Sequence, residues 1–238
     1  MNDIDTNTAQ KPSDTPIAGM RSYDQAFQNK LLFSIFDHSG NASKPYRENG
    51  WKVIQIDIKN GIDLMTFDFL KALRDNTGIS DVMPEIGIIA MIPCTAYALC
   101  GNRHKKEPAR IEIFNESQIL TAKVKQVIDF FDRLGILKFW QVENPMSDIH
   151  THNKWLGKPR QKFDPCDFAG YDPLPDSSRY NKKTWLWGNF KLMEKKRLEP
   201  FEKENPGWKK YGGKSERTKE LRSVTPLGFA YAFYEANH

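Results

Sequence analysis

The sequence predicts an α/β protein with a mainly parallel sheet, followed by a small, irregular, basic C-terminal lobe. Short apolar runs rich in β-branched residues alternate with segments of helical periodicity. Several predicted strands end in polar or reactive residues, which is where ligands bind in an open α/β sheet. With 238 residues, the chain is long enough to bury one substantial core.

The first half of the chain supplies the alternation of strands and helices. We predict strands at residues 31–36, 52–57, 85–92 and 139–142, and helices at residues 42–49, 66–74 and 115–134. The last helix has the clearest pattern, because its apolar residues recur every three or four positions and Gly135 follows as a stop. Strands that alternate with helices imply right-handed crossovers and a parallel sheet.

The second half is less regular. After about Met146 the periodicity fails, and residues 184–187 are the one good strand candidate before an amphipathic helix at residues 225–237. We therefore divide the chain into four predicted parts. These are a disordered tail (1–22), a catalytic core (23–150), a basic aromatic-rich lobe (151–222) and a C-terminal helix that packs on the core (223–238).

Composition and charge narrow the function classes. No apolar stretch approaches the roughly 20 residues of a membrane span, and the polar N-terminus lacks the features of a secretory signal, so we expect a cytoplasmic protein without a membrane partner. The net charge is +5, and the segment from Lys182 to Arg222 holds 13 Lys or Arg against 6 Glu. Such a segment suits contact with phosphates, although a solvated lysine-rich loop would have the same composition.

The residues that follow the predicted strands form an ordered set. The turn Asp37–Asn41 follows the first strand and Asp57 ends the second, while Pro93–Cys94 and Glu143–Asn144 come at the ends of later ones. Because carboxyl ends of parallel strands share one edge of the sheet, a nucleotide-like ligand could lie over the first pair. A reactive centre could lie over the second pair.

This ordered set resembles that of the DNA cytosine-C5 methyltransferases, particularly their short phage-type members. The resemblance covers about residues 30–145 and, in part, 220–230. It implies a Rossmann-like sheet of the S-adenosylmethionine-dependent methyltransferase kind, with double-stranded DNA as the partner. We expect a monomer.

The resemblance implies a binding site for S-adenosylmethionine. The family has a Phe-x-Gly-x-Gly turn after the first strand, and here His38 replaces the first glycine while Gly40 retains the second. Asp57 matches the acid that holds the ribose hydroxyls, and Asp63 is the candidate for contact with adenine. Each acid has an ordinary alternative, as a strand-end or helix-start residue. The cofactor-binding residues implied are Phe36, Asp37, His38, Gly40, Asp57, Asp63 and Pro93.

The catalytic pair implied by the resemblance is Cys94 and Glu143. A cysteine thiolate can add to C6 of cytosine and so activate C5. A carboxyl group can hydrogen-bond N3 and the exocyclic amine of a base flipped out of the duplex. The alternatives are a cysteine that merely packs in the core and a glutamate that caps or forms an ion pair.

Basic and aromatic residues are interleaved between residues 153 and 208, which suits contact with DNA. The predicted DNA-binding residues are Arg160, Lys162, Lys182 and Lys183. The family's Gln-x-Arg-x-Arg motif is not clearly present, and the first two of these are a loose substitute for it. The segment Arg222–Pro226 is similar to the family's Arg-x-Leu-Thr segment. The region is short, so we expect short or relaxed target specificity, although each aromatic residue could equally belong to the core.

Two alternative functions stay open. A catalytically degenerate methyltransferase-fold protein that binds DNA or a protein partner would account for His38 and the missing motif. An enzyme with the same pyrimidine chemistry on a nucleotide or RNA is the other. We predict no metal site, because the residues that could form one lack a Cys-x-x-Cys pair. They are Cys94, Cys100, His104 and Cys166.

Overall fold

Six strands form a single mixed sheet flanked by helices in the computed structural model, which describes residues 29–77, 83–97, 108–201, 220 and 223–238. The strands are β1 (Lys30–Ile35), β2 (Lys52–Ile56), β3 (Glu85–Met91), β4 (Leu137–Pro145), β5 (Gln161–Phe163) and β6 (Thr184–Asn189). The helices are α1 (Lys44–Glu48), α2 (Phe69–Asn76), α3 (Pro108–Arg133), α4 (Ile149–His152) and α5 (Leu227–Ala236).

The strand order is β2-β1-β3-β4-β6-β5, and β1 to β4 run parallel. Strand β6 is antiparallel both to β4 and to the edge strand β5. The direction in which successive strands are added reverses at β1, since β2 lies on one side and β3 on the other. In sheets of this kind the ligand crevice opens at the carboxyl ends of the strands beside such a reversal, here between β1 and β3.

Both faces of the central strands are covered, as parallel strands require. Phe33 of β1 faces α2 and α3, and its ring lies 5.1 Å from that of Phe131. On the opposite face, Phe139 of β4 packs against α1 and α5, 5.7 Å from the ring of Phe233. Gly87 of β3 makes room for Phe139, because a Cβ at that glycine would lie 2.4 Å from the ring.

The structure confirms the α/β class, and its mixed six-stranded sheet flanked by helices is consistent with a Rossmann-like fold. All four strands predicted in the first half are present, as are the predicted strand near residue 184 and the C-terminal helix. Helix α3 begins at Pro108, earlier than predicted, and β5 was not predicted. Within the segment predicted as a separate lobe, β5 and β6 are strands of the central sheet.

Some predictions fall outside the described residues, among them the tail 1–22, Cys100, His104 and Arg222. Within the described ranges, every helix is too short or too polar to span a bilayer.

Candidate active site

The turn after β1 is held together from inside by Asp37. Its side chain is 2% exposed and accepts hydrogen bonds from the hydroxyl groups of Ser34 (2.9 Å) and Ser43 (2.8 Å). The backbone N–H of Ser43 donates a further bond at 3.1 Å. Since these donors belong to the turn or its flanks, the structure gives the carboxylate of Asp37 a structural role in shaping the turn.

The two ends of the turn have left-handed backbone conformations. Phe36 has φ 61°, and its N–H donates to the carbonyl of Ile56 at 2.9 Å, which joins the turn to the end of β2. Gly40 has φ 70°, and its carbonyl accepts a bond from Arg47 at 2.7 Å. A Cβ at Gly40 would lie 2.7 Å from the same guanidinium, so both the backbone and the space favour glycine.

The acid at the end of β2 lies beside this turn. Asp57 caps a short 3-10 helix by accepting the N–H of Lys59 at 2.9 Å through Oδ1, and its other oxygen accepts no hydrogen bond from the described residues. The imidazole of His38 lies 2.9 Å from Oδ1 of Asn60, which ties the turn to the segment after β2. Asp63 accepts the N–H of Met65 at 2.9 Å. Asp57 and His38 therefore both lie just beyond the carboxyl ends of β2 and β1.

The Pro-Cys pair follows β3 directly and lies on the surface. Pro93 and Cys94 are exposed, and Cys94, which is in no disulfide, begins a short 3-10 helix. The buried Tyr97 ends this turn: its N–H donates to the carbonyl of Cys94 at 3.0 Å, and its hydroxyl lies 3.1 Å from that of Thr121 on α3. The sulfur atom is thus carried by a short turn anchored in the core.

Glu143 lies on β4 and pairs with Met91, the last residue of β3. Neighbouring strands are about 4.8 Å apart, so the carboxyl group is on the strand next to the one that leads into Pro93–Cys94. Burial raises the pKa of Glu143 above its ordinary value, and the positive charge of Lys182 opposes that shift in part. The site therefore favours a carboxyl group that keeps its proton to a higher pH than usual.

A small pocket opens beside Glu143. Its lining combines the carboxyl group and a lysine with apolar and hydroxyl side chains from β5, β6, α5 and the segment before α5. The lining residues are Glu143, Phe163, Lys182, Thr184, Ser223, Val224, Thr225, Pro226 and Phe229. The described part of the predicted Arg222–Pro226 segment is thereby brought to the predicted acid.

The predicted DNA-binding residues differ in their surroundings. Lys182 lines the pocket with Glu143, and the side chain of Lys183 is exposed. Arg160 donates from Nε to the carbonyl of Phe190 at 2.8 Å, and the ammonium of Lys162 lies 4.3 Å from the ring centre of Trp185. Of the four, Lys182 therefore lies beside the predicted acid, while Arg160 and Lys162 make contacts within the fold along β5 and β6.

One residue of the site was not assigned a role from the sequence. Asn144 is fully buried, and its Nδ2 donates to the carbonyl of Ile92, the residue before Pro93, at 2.7 Å. Its position directly after Glu143 was the available signal, but the partner could be known only once β3 and β4 were paired.

The predicted residues thus fall into two groups at the carboxyl ends of the parallel strands. The turn 36–40 and Asp57 border β1 and β2, while Pro93–Cys94 and Glu143 border β3 and β4. Among the described residues, no three His, Cys, Asp or Glu side chains cluster as a metal site would require. The chain matches no known family model and no curated protein.

Proposed function

We propose that the protein is a DNA cytosine-C5 methyltransferase that uses S-adenosylmethionine, with Cys94 as nucleophile and Glu143 as the acid that binds the base. The observation that carries this proposal is the pairing of Met91 with Glu143. It sets a carboxyl group of raised pKa beside the strand whose end carries an exposed thiol. Nucleophilic addition to a pyrimidine needs both groups on one base.

The residues at the ends of β1 and β2 fit the cofactor. The carboxylate oxygen of Asp57 that accepts no bond within the described protein could accept one from a ribose hydroxyl. Ile58, the next residue, is 70% exposed, an apolar surface beside Asp57 that suits an adenine ring. Bound here, S-adenosylmethionine would supply a methyl group activated by its sulfonium sulfur.

The thiolate of Cys94 begins the proposed reaction on a cytosine flipped out of the duplex. Its addition forms a bond between Sγ and C6 and moves an electron pair to C5. That pair would form the new bond to the methyl group while the bond from the methyl carbon to the sulfonium sulfur breaks, and the electrons of the broken bond would stay on the sulfur of the departing thioether, S-adenosylhomocysteine. Loss of the C5 proton to water then returns the electron pair, the bond between Sγ and C6 breaks, and Cys94 leaves as thiolate.

Glu143 supports this addition through its raised pKa. A protonated carboxyl group has one donor and one acceptor, which complement N3 and the exocyclic amine of cytosine. Donation to N3 withdraws electrons from C6 and makes it a better target for the thiolate. Lys182, which lowers the pKa of Glu143 in part, and Lys183 lie just before β6, where they could contact DNA phosphates.

One observation favours a second candidate, a protein of the same fold that binds DNA without catalysis. The side chain of His38 occupies the turn and contacts Asn60 at 2.9 Å, where a glycine would leave space for a ligand. In that case the cofactor would not bind, and the protein would still bind DNA.

The test is transfer of a labelled methyl group from S-adenosylmethionine to unmodified duplex DNA. We expect incorporation with the wild-type protein, none with Cys94→Ala, and retained incorporation with Cys166→Ala, which removes a buried thiol distant in sequence. A duplex that contains 5-fluorocytosine should form a covalent complex that survives denaturation, because fluorine cannot leave as a proton does.

The outcomes separate the candidates. Full incorporation by Cys94→Ala would contradict the proposed chemistry. A folded wild-type protein that binds DNA but transfers no methyl group would support the second candidate, and His38→Gly would then be the variant expected to restore cofactor binding.

A further inference from the structure

The segment that follows Glu143 holds both ends of the turn that carries Cys94. At the first end, Nδ2 of Asn144 donates to the carbonyl of Ile92 at 2.7 Å. At the other end, the backbone N–H of Asp148 donates to the carbonyl of Tyr97 at 3.2 Å. The predicted acid and the predicted nucleophile are therefore linked by two hydrogen bonds from one short segment.

Asn144 is poorly suited to stability alone. The residue is 0% exposed, and its Oδ1 has no hydrogen-bond partner among the described residues. A buried polar atom without a partner costs free energy, so an apolar side chain would serve packing better at this position. What the amide does make is the bond to Ile92.

The bond lies at the start of the turn that carries Cys94. Pro93 has a fixed φ and lacks an N–H, so it cannot anchor the turn by donating a hydrogen bond. The carbonyl of Ile92 is the last acceptor before it, and fixing that carbonyl sets where Pro93 directs the chain. Because Asn144 adjoins Glu143, the same bond joins the strand that carries the carboxyl group to the start of the turn that carries the thiol.

We propose that Asn144 is a positioning residue that holds Cys94 within reach of C6 of the base bound by Glu143. This inference rests on the proposed function. Asn144 does not touch the base, since successive side chains of a strand point to opposite faces and Glu143 takes the face of the pocket. Its effect is on the geometry of attack, where an error of about 1 Å costs on the order of 10²-fold in rate.

The first test replaces Asn144 by alanine and by aspartate and measures methyl transfer. We expect kcat to fall about 10²-fold for Asn144→Ala, with KM for DNA within about a factor of two, because binding groups are unchanged. Loss of folded protein would also lower the measured kcat of a variant, and thermal unfolding of the same samples detects such a loss.

The aspartate variant carries the sharper measurement. A buried carboxylate cannot donate to Ile92, but its protonated form can, so the ratio of Asn144→Asp activity to wild-type activity should rise as pH falls. The ratio for Asn144→Ala should stay flat. The titratable neighbours on β4, the following turn, α4, the segment before β6 and the turn held by Asn144 are common to all the proteins compared: Glu143, Asp148, His150, Lys182, Lys183, Cys94 and Tyr97.

A matched control and a second readout keep the inference separate from the proposed function. Asn76→Ala and Asn76→Asp alter a similar amide-to-carbonyl bond of 2.8 Å at the end of α2 and should leave kcat unchanged. Hydrogen exchange needs no activity: Asn144→Ala should speed exchange of the Tyr97 amide, and Asn76→Ala should not.

A wild-type protein without methyl transfer would remove the proposed function, while the exchange measurement would still test the link between Asn144 and the turn. The inference is overturned if exchange at Tyr97 does not change, or if the Asn144→Asp ratio is independent of pH in an active protein.

Discussion

At the scale of single residues, Glu143 has a carboxyl group whose burial opposes its ionisation. Its folded-state pKa is raised, so the fold prefers the protonated form. As pH rises from the unfolded-state pKa through the folded one, the unfolded chain ionises first and stability is lost. The residue is therefore destabilising at neutral pH, which is common for groups retained for chemistry.

We predict that Glu143→Gln is more stable and less active than the wild type. Glutamine has a similar size and no charge to desolvate, so its melting temperature should be higher at pH 7, with the difference vanishing below pH about 4. Methyl transfer should fall by about 10²–10⁴-fold, as expected on loss of a general acid. Thermal unfolding across pH checks the first part, and a melting temperature below that of the wild type at pH 7 would contradict it.

A comparison of two glycines separates the free-energy cost of a left-handed backbone from the cost of steric contact in the turn after β1. Gly40 and Gly61 both have positive φ, 70° and 77°, but only a Cβ at Gly40 meets neighbouring atoms. We predict that Gly61→Ala loses about 1 kcal/mol through backbone strain. Gly40→Ala should lose about 1–3 kcal/mol more, because Arg47 must move. Urea unfolding measures the free energy of unfolding of both variants. Equal losses would mean that the Arg47 side chain moves aside at no cost.

The single residues of the site were predictable from the sequence to different degrees. Cys94 and Glu143 were predicted because each lies at the end of a predicted strand and because the Pro-Cys and Glu-Asn pairs resemble family motifs, and both signals lie within one segment. The bonds from Asn144 to Ile92 and from Arg47 to Gly40 were not predicted, nor was the closeness of Lys182 to Glu143. Each of those depends on a backbone position or a strand pairing that one segment does not determine.

At the scale of elements, residues 190–200 have no regular secondary structure and are held in place by the buried side chain of Asp167. Asp167 forms ion pairs with Lys195 (2.9 Å) and Arg197 (2.6 Å). Backbone bonds from Gly170 to Lys196 and from Leu198 to Cys166 lie alongside. Burial alone would raise the pKa of Asp167, but hydrogen bonds from Lys195, Asp164 and Arg197 bring it below the ordinary value.

We predict that Asp167→Asn destabilises the protein by about 1–3 kcal/mol at pH 7. The free-energy loss is smaller than for a fully buried ion pair, because Lys195 and Arg197 are half-exposed and water can solvate their charges once the carboxylate is gone. Since the folded-state pKa is lowered, this contribution is present above the unfolded value and is lost as pH falls through the folded one. Urea unfolding at several pH values measures it. Asp176→Asn, which alters an exposed pair with Arg179, should cost no more than about 0.5 kcal/mol.

The elements themselves were predictable where the pattern is long and periodic. The start of α3, residues 108–114, was missed because Ile111 and Ile113 alternate there with charged residues instead of recurring every three or four positions. Strand β5 has three residues, too few for alternation to register. The antiparallel direction of β6 and its place beside β4 follow from how the chain returns to the sheet, which local propensity does not specify.

At the scale of the whole molecule, positive charge is distributed unevenly, and the basic residues are not equivalent. Lys183 is exposed, whereas Arg160 bonds to the carbonyl of Phe190 and lies over its ring. We predict that Lys183→Ala lowers the slope of log Kd for duplex DNA against log salt by about 1, as loss of one phosphate contact does.

Arg160→Ala is the matched comparison. It should leave that slope unchanged and lower the melting temperature, because it removes a contact within the fold. Titrations of DNA at several salt concentrations decide between these assignments. A reduced slope for Arg160→Ala, with an unchanged melting temperature, would place Arg160 on the DNA instead.

The position of β6 affects how the chain folds during its synthesis. Strand β4 has nine residues and gains its second neighbour only when Thr184–Asn189 has left the ribosome. Until then, a nascent chain would present one side of β4 as an open, largely apolar edge that can pair with another chain. A premature stop between residues 146 and 183 should therefore yield an aggregating product, even though both proposed catalytic residues have already been translated.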